Sequence, residues 1–251
     1  MNSRILRCAA IIAALTSPVC AQDAQRTIKD AEDAIGMLRL PQKIDLIETM
    51  EYWGTQTTPT KLAYHASVSY QVPGMRIDMT GKLRQIQVVS GVFAWDESVL
   101  GGGLVPGTTA TPAPAALKAR LLQLWITPFG ALKAATLAGS DAKLKTETGA
   151  TMITFSLPEP LSDVTAQVTL NPKKQIVRVE THGASSDSSL IAMYSDYKDI
   201  ADVRTDVMFP THIVQRKAGT ALLDLTITKT NTNNPYVVFP VPDSVREAGR
   251  P

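Results

Sequence analysis

Residues 62–72 read Leu62-Ala63-Tyr64-His65-Ala66-Ser67-Val68-Ser69-Tyr70-Gln71-Val72, and their alternation decides the fold class. Leu62, Tyr64, Ala66, Val68, Tyr70 and Val72 share one face; Ala63, His65, Ser67, Ser69 and Gln71 share the other. A strict period of two over such a length describes a strand with one apolar and one mostly polar side. Pro73-Gly74 is a turn signal, and Met75 to Met79 reads as the returning partner. Gln85 to Asp96 reads as a further strand, strongly β-prone through Ile86, Val88, Val89, Val92, Phe93 and Trp95.

The same period returns in the second half. Ile153, Phe155 and Leu157 alternate with polar neighbours, as do Val164, Ala166, Val168 and Leu170. Asn171-Pro172-Lys173-Lys174 turns into a strand over Gln175 to Thr181, and others follow at about Leu190 to Tyr197, Met208 to Arg216 and Leu223 to Thr228. Short polar turns between strands imply an antiparallel meander. With the first block this gives roughly eight to ten strands.

Between the blocks, Gly101-Gly102-Gly103 through Pro114 is a loop of small residues. It carries no lysine until Lys118, so it lacks what a phosphate cradle needs and reads as a connection or linker. Two helices follow. Leu117, Leu121, Leu124 and Trp125 share one face of the first. Thr127-Pro128 caps a second that runs to Gly139, with Phe129 and Leu132 inward. A third amphipathic helix is expected from Asp23 to about Leu38, through Ile28, Ala31, Ile35 and Leu38, with Pro41 ending it.

Strands of this kind leave one apolar sheet face that must be covered by helices or by curling of the sheet. The expected architecture is therefore α+β: one curved antiparallel sheet, an incomplete β-barrel, with about three helices over its concave face. Two separate β domains joined at the Gly/Pro loop are the alternative.

Residues 1–21 read as a secretory leader. Arg4 and Arg7 form a basic start, Cys8 to Leu15 a short apolar run, and Val19-Cys20-Ala21 a small-residue cleavage site. The run is too short for a spanning helix, and Ser17-Pro18-Val19 lacks the pattern expected before a lipidated cysteine. Residues 22–251 would then form one periplasmic or secreted domain with no later membrane-spanning helix. At 6% aromatic residues and with helices interrupting the strands, a membrane β-barrel is not expected either. Both cysteines, Cys8 and Cys20, lie in the leader, so the mature chain holds no disulfide. Of the 25 basic residues only Arg4 and Arg7 leave with it, which balances the rest against the 23 acids. Neutrality of this kind excludes an electrostatic nucleic-acid binder.

Chemistry-bearing residues are sparse. His65, His182 and His212 have no partner at metal-ligand spacing. His65 reads as a solvated residue on the polar face of its strand, while His182 and His212 could approach each other only through the fold. Ser185, Ser186, Ser188 and Ser189 sit in no nucleophile elbow. Carboxylate pairs such as Asp96/Glu97 and Asp196/Asp199 are no more than chance supplies. No catalytic residue, metal ligand or cofactor is expected. The distinctive residues are apolar: Trp53, Tyr64, Tyr70, Phe93, Trp95, Trp125 and Phe129 could line a pocket for an acyl chain on the concave face, or fill an ordinary core.

Short motifs add a resemblance. Asp196-Tyr197-Lys198-Asp199, Phe209-Pro210-Thr211-His212-Ile213-Val214, the strand Leu223 to Thr228, Asn231 to Asn234 and Phe239-Pro240 resemble bacterial proteins related to outer-membrane lipoprotein-sorting factors, the LolA/LolB-like family. Phe93-Ala94-Trp95, Leu124 to Gly130 and Pro240 to Arg246 resemble the domain that precedes some metallo-β-lactamase-fold hydrolases. The resemblance implies an incomplete β-barrel whose hollow is closed by helices and takes a lipid or lipidated protein. A partner hydrolase is the other implied partner. The hydrolase's histidine-rich metal motif does not occur, so no hydrolase activity is implied. Asp206-Val207-Met208 also departs from the relatives' Gly-Val-Lys. The expected function is an exported, non-enzymatic lipid binder or carrier, or alternatively a stand-alone accessory module that binds a protein. An enzyme with a spatially assembled site is the remaining class.

Overall fold

The computed structural model of the chain describes residues 17–39, 41–147, 149–183 and 189–249, and strand pairing runs through them from one β block to the other. The first block supplies β1 (Leu38–Arg39), β2 (Ile44–Asp45), β3 (Thr49–Thr58), β4 (Leu62–Ser69), β5 (Gly74–Thr80), β6 (Arg84–Ser90), β7 (Phe93–Glu97) and β8 (Ala110–Pro112). The second supplies β9 (Lys143–Glu147), β10 (Ala150–Ser156), β11 (Thr165–Leu170), β12 (Ile176–His182), β13 (Leu190–Lys198), β14 (Phe209–Lys217) and β15 (Thr220–Thr232). Helices are α1 (Ser17–Ala34), α2 (Leu117–Trp125), α3 (Pro128–Ala138) and α4 (Asp243–Ala248).

Strands β1 and β2 pair with each other, and the other thirteen form one open antiparallel sheet in the order β8-β7-β6-β5-β4-β3-β15-β14-β13-β12-β11-β10-β9. The seam is β3 against β15, where Gly54 faces Ile227. A Cβ at Gly54 would stand 2.1 Å from the Thr226 carbonyl oxygen, so only glycine lets the two strands approach this closely. The sheet must curl. From β6 to β10 a flat sheet would extend roughly 43 Å at the usual strand spacing. Yet α2 packs on β5–β7 while the adjoining α3 packs on β10, and these helices are only about 14 and 17 Å long. Only a sheet wrapped around the helical pair brings both flanks into reach. The architecture is the α+β one expected from the alternation, with strands more numerous than the sequence indicated.

One large cluster fills the interior between the sheet and α1, α2 and α3; Phe129, Leu132, Phe155, Val179 and Phe209 are among its most buried members. Thr127 caps α3 as its spacing predicts, its hydroxyl accepting from the Gly130 N–H at 3.1 Å. Helix α1 buries Ala24, Ile28 and Ala31, but ends at Ala34 rather than near Leu38. Gly36 stops it, with φ +74° and its Cα so close to the Asp206 carbonyl that a Cβ would fall 2.3 Å from it. Leu38 belongs to β1, and Pro41 plays no part in the stop.

Gln85 to Asp96 is not one strand but the hairpin β6–β7, paired Ser90 with Phe93 around Gly91-Val92. Beyond β7 the Gly-rich segment is no interdomain linker. It folds back so that β8 pairs with β7, and Glu97 accepts from the Trp95 indole at 2.8 Å and from the Gly101 N–H at 2.9 Å. A second, smaller cluster lies on the opposite face of the sheet, where Ile86, Val88 and Trp95 are covered by Val237, Phe239 and Val245 of α4. Most of the expected leader lies outside the described residues, and α1 runs unbroken past Ala21, where cleavage is expected. Of the serine cluster, Ser185, Ser186 and Ser188 also lie outside them.

Candidate ligand pocket

The pairing of β3, β4 and β5 fixes which side chains face the helices. Tyr52, Ala66 and Ile77 are in register, as are Met50, Val68 and Met75, and Gly54, Tyr64 and Met79. These rows look inward. Where the helices stop short of the strand ends, the inner face opens into a cleft of about 780 Å³. Its apolar wall is Leu62, Tyr64, Ile77, Met79, Leu222 and Leu223; Gln123 of α2 hangs over it, and Gln56, Gln85, Gln87 and Gln215 give it amide groups. Leu83, 79% exposed, and Leu222, 40% exposed, stand at its mouth. The size and the mixture of apolar wall with a few neutral polar groups are those of small-molecule sites.

Of the seven aromatic residues singled out by sequence, only Tyr64 lines this cleft. Its ring stacks with Tyr52, centroids 6.1 Å apart, and burial pushes its phenol above the ordinary range. Tyr70, Trp125 and Phe129 are packed into the interior instead. The Tyr70 hydroxyl meets Thr127 Oγ1 at 3.2 Å, and Phe129 lies edge-on to Phe209, which in turn touches Tyr52. The Trp125 indole N–H is buried without an acceptor among the described residues.

Trp53, Phe93 and Trp95 lie on the other face. Trp53 pairs with His65 and Trp95 with Val88, one position out of phase with the inward rows. The expectation of a single aromatic-lined concave surface is corrected here. Alternation tells which residues share a side of one strand, but both sides of β6 are buried, Val89 under the helices and Val88 under the C-terminal segment. Aromatic character therefore did not mark the concave face. The methionine, isoleucine and glutamines that do line the cleft carried no distinguishing signal except phase with Tyr64.

Around Trp53 the opposite face carries a polar cluster. His65 stacks on the indole at 4.4 Å with 12° between planes, and the Lys229 ammonium lies 5.2 Å from the same ring. So His65 is half-buried and partnered, rather than freely solvated. Glu51 Oε1 and Ser67 Oγ both approach His65 Nε2, at 3.2 and 3.3 Å. A Ser-His-acid relay needs the acid and the hydroxyl on different ring nitrogens, and this arrangement places both on one. His182 and His212 do not converge: they lie toward opposite ends of β13 and approach different carboxylates, Glu180 and Asp224. Among the described residues no group of three or more His, Cys, Asp or Glu could hold a metal ion.

The motif residues that carried the family resemblance have packing roles. The Asp199 carboxylate accepts from the backbone N–H groups of Ala201, Thr205 and Asp206; although desolvation works the other way, these donors hold its carboxyl below the usual range. Tyr197 donates to the Ile176 carbonyl at 2.8 Å, and Phe209 fills the core.

No family model matches the chain, and no curated protein matches it. Among solved structures, a domain from Vibrio parahaemolyticus named for outer membrane lipoprotein sorting is similar over 84% of this chain and 94% of its own, at 7% identity and a TM-score of 0.49. An uncharacterized conserved protein from Thermus thermophilus is similar over 85% of this chain and 89% of its own, at 12% identity and a TM-score of 0.34. The architecture stands on the strand pairing and the helical cover themselves.

Proposed function

We propose that the chain is an exported, non-enzymatic protein that binds a lipid-like apolar chain in the cleft bounded by β3–β6, β14–β15 and α2. The single observation that carries this reading is the cleft: roughly 780 Å³ of space continuous with the apolar face, walled by Tyr64, Ile77, Met79 and Leu223 and open at one end. An apolar chain laid there would leave water for about 25 cal/mol per Å² of its buried surface. The lack of a relay geometry at His65 and the separation of His182 from His212 favour binding over catalysis. The export part of this reading rests on the leader-like residues 1–21. Among the described residues no single helix is long and apolar enough to cross a membrane.

The test is extraction of the purified mature protein with organic solvent and mass spectrometry of the extract. A lipid or fatty acyl species recovered from the wild type, and lost from Met79→Glu, supports the reading. A clean extract, together with no uptake of an added fluorescent acyl probe, overturns it.

A second reading, an accessory module docking on another protein, draws on the far end of the sheet. Val72, Val92, Tyr236 and Val238 are all exposed there, and Val72 and Val238 line a groove of about 500 Å³. Substituting Val238 and Tyr236 by Ser would abolish a docking function and leave acyl-probe binding intact.

A further inference from the structure

The cleft mouth carries a charge arrangement that a purely apolar ligand would not explain. Among the lining residues the only charged side chains are Lys61 and Lys82, and no carboxylate accompanies them. They belong to different turns, Lys61 between β3 and β4 and Lys82 between β5 and β6. Both turns lie at the same end of the β4–β5 ladder, whose last pair is Ala63 with Thr80, and both lysines line the cleft there. The other cations nearby are neutralised: Arg84 grips Asp78 through its Nε and Nη2, and Arg120 pairs with Asp96 at 2.6 Å. Neither Lys61 nor Lys82 has an ion pair among the described residues. Five glutamines behind them add amide donors without charge.

We propose that the ligand is an anionic amphiphile, its carboxylate or phosphate held between the Lys61 and Lys82 ammonium groups and its chain laid on Tyr64, Ile77, Met79 and Leu222. This rests on the pocket reading above and adds the head group to it. An anion at the mouth would give the two ammonium groups charge-assisted contacts that no lining carboxylate supplies, while the chain meets a wall free of charge. The chemistry is shared by fatty acids and by phospholipids; the experiment separates them.

The mature protein is loaded with the neutral fluorophore N-phenyl-1-naphthylamine, and the probe is displaced by laurate, by lauroyl lysophosphatidylglycerol and by neutral monolauroylglycerol. The anionic chains are expected to act at about tenfold lower concentration than the neutral one at low ionic strength, with the gap closing near 1 M salt, where screening acts within a few ångströms. Whichever anion is stronger assigns the head group. Lys61→Gln/Lys82→Gln should abolish the gap and leave affinity for the fluorophore unchanged. Equal displacement by charged and neutral chains, or an anionic preference that survives the double substitution, overturns the head-group assignment while the pocket stands. Failure of the fluorophore and of every chain to bind overturns the pocket reading itself. Sedimentation with phosphatidylglycerol vesicles without uptake of any monomeric chain also overturns the proposal, by assigning the lysines to a lipid surface.

Discussion

Asn234 donates its side-chain amide to Glu51 Oε2 at 2.7 Å, fastening the segment that follows β15 to the first residues of β3. Asn231 reaches the same oxygen at 3.3 Å, while His65 and Ser67 occupy the other. Burial works to raise the Glu51 carboxyl, but the hydrogen bonds from His65, Asn234 and Asn231 outweigh it and hold the group at about 2. Because the folded value lies below the ordinary one of 4.5, this contribution to stability is complete above that pH and disappears as the pH falls through about 2. Urea titrations between pH 6 and pH 2 should show wild-type stability falling through this window, by on the order of 1–2 kcal/mol from this site after solvent screening. Glu51→Gln should flatten that part of the slope. An identical slope in the two proteins would show that Glu51 titrates normally.

Thr127 serves two structures at once, accepting from the Gly130 N–H at the start of α3 and meeting the Tyr70 hydroxyl. Thr127→Ala removes the cap and strips a buried phenol of its partner. A loss of about 1–3 kcal/mol in denaturant unfolding is expected, more than a cap alone contributes. Thr127→Ser should recover most of it.

The two faces of the sheet should separate cleanly by mutation. Met79→Glu places a charge on the cleft wall and should abolish acyl-probe binding with the fold intact by circular dichroism. Trp53→Ala, on the other face, should leave binding unchanged and lower stability through loss of the His65 stack and the Lys229 contact. Binding lost in Trp53→Ala but kept in Met79→Glu would reverse the assignment of faces.

Gly54→Ala should be among the most damaging single-methyl changes in the chain, since the new Cβ meets the Thr226 carbonyl oxygen at 2.1 Å. The seam must open to admit it, at a cost expected to exceed about 3 kcal/mol. Thermal unfolding of Gly54→Ala beside a control such as Gly107→Ala, whose Cβ would meet nothing within 4 Å but whose φ of +78° alone carries strain, separates steric clash from backbone conformation.

What the sequence made legible followed from short-range rules. The alternation of β4 and the Thr127-Pro128 cap of α3 are local, and both are realised. Strand β9, Lys143-Leu144-Lys145-Thr146-Glu147, is an edge strand of charged residues with no apolar alternation to reveal it. The β6–β7 hairpin was hidden because Val92 and Phe93 continue the β-prone run straight through its turn. In the pocket, Leu62 and Tyr64 were legible from the β4 alternation and most of their neighbours were not, because those come from β3, β5, β6, β14, β15 and α2 and meet only through register. Which face of a strand receives the helices depends on every other strand in the sheet.

The seam has a consequence for how the chain acquires its shape. Thr228 donates to the Trp53 carbonyl across 175 residues, and the strands it joins stand at the centre of the sheet, flanked by everything between them in sequence. Each half can zip locally as a series of hairpins, but the central ladder waits for β15 to emerge. Long-range closure of this kind makes folding slow. A chain that folds from its N-terminus as it is made would therefore hold two unjoined half-sheets with β3 exposed as a bare edge. Synthesis in that order makes the last strand a timing element, and a chaperone that shields β3 until then would be matched to the one ladder that cannot form early.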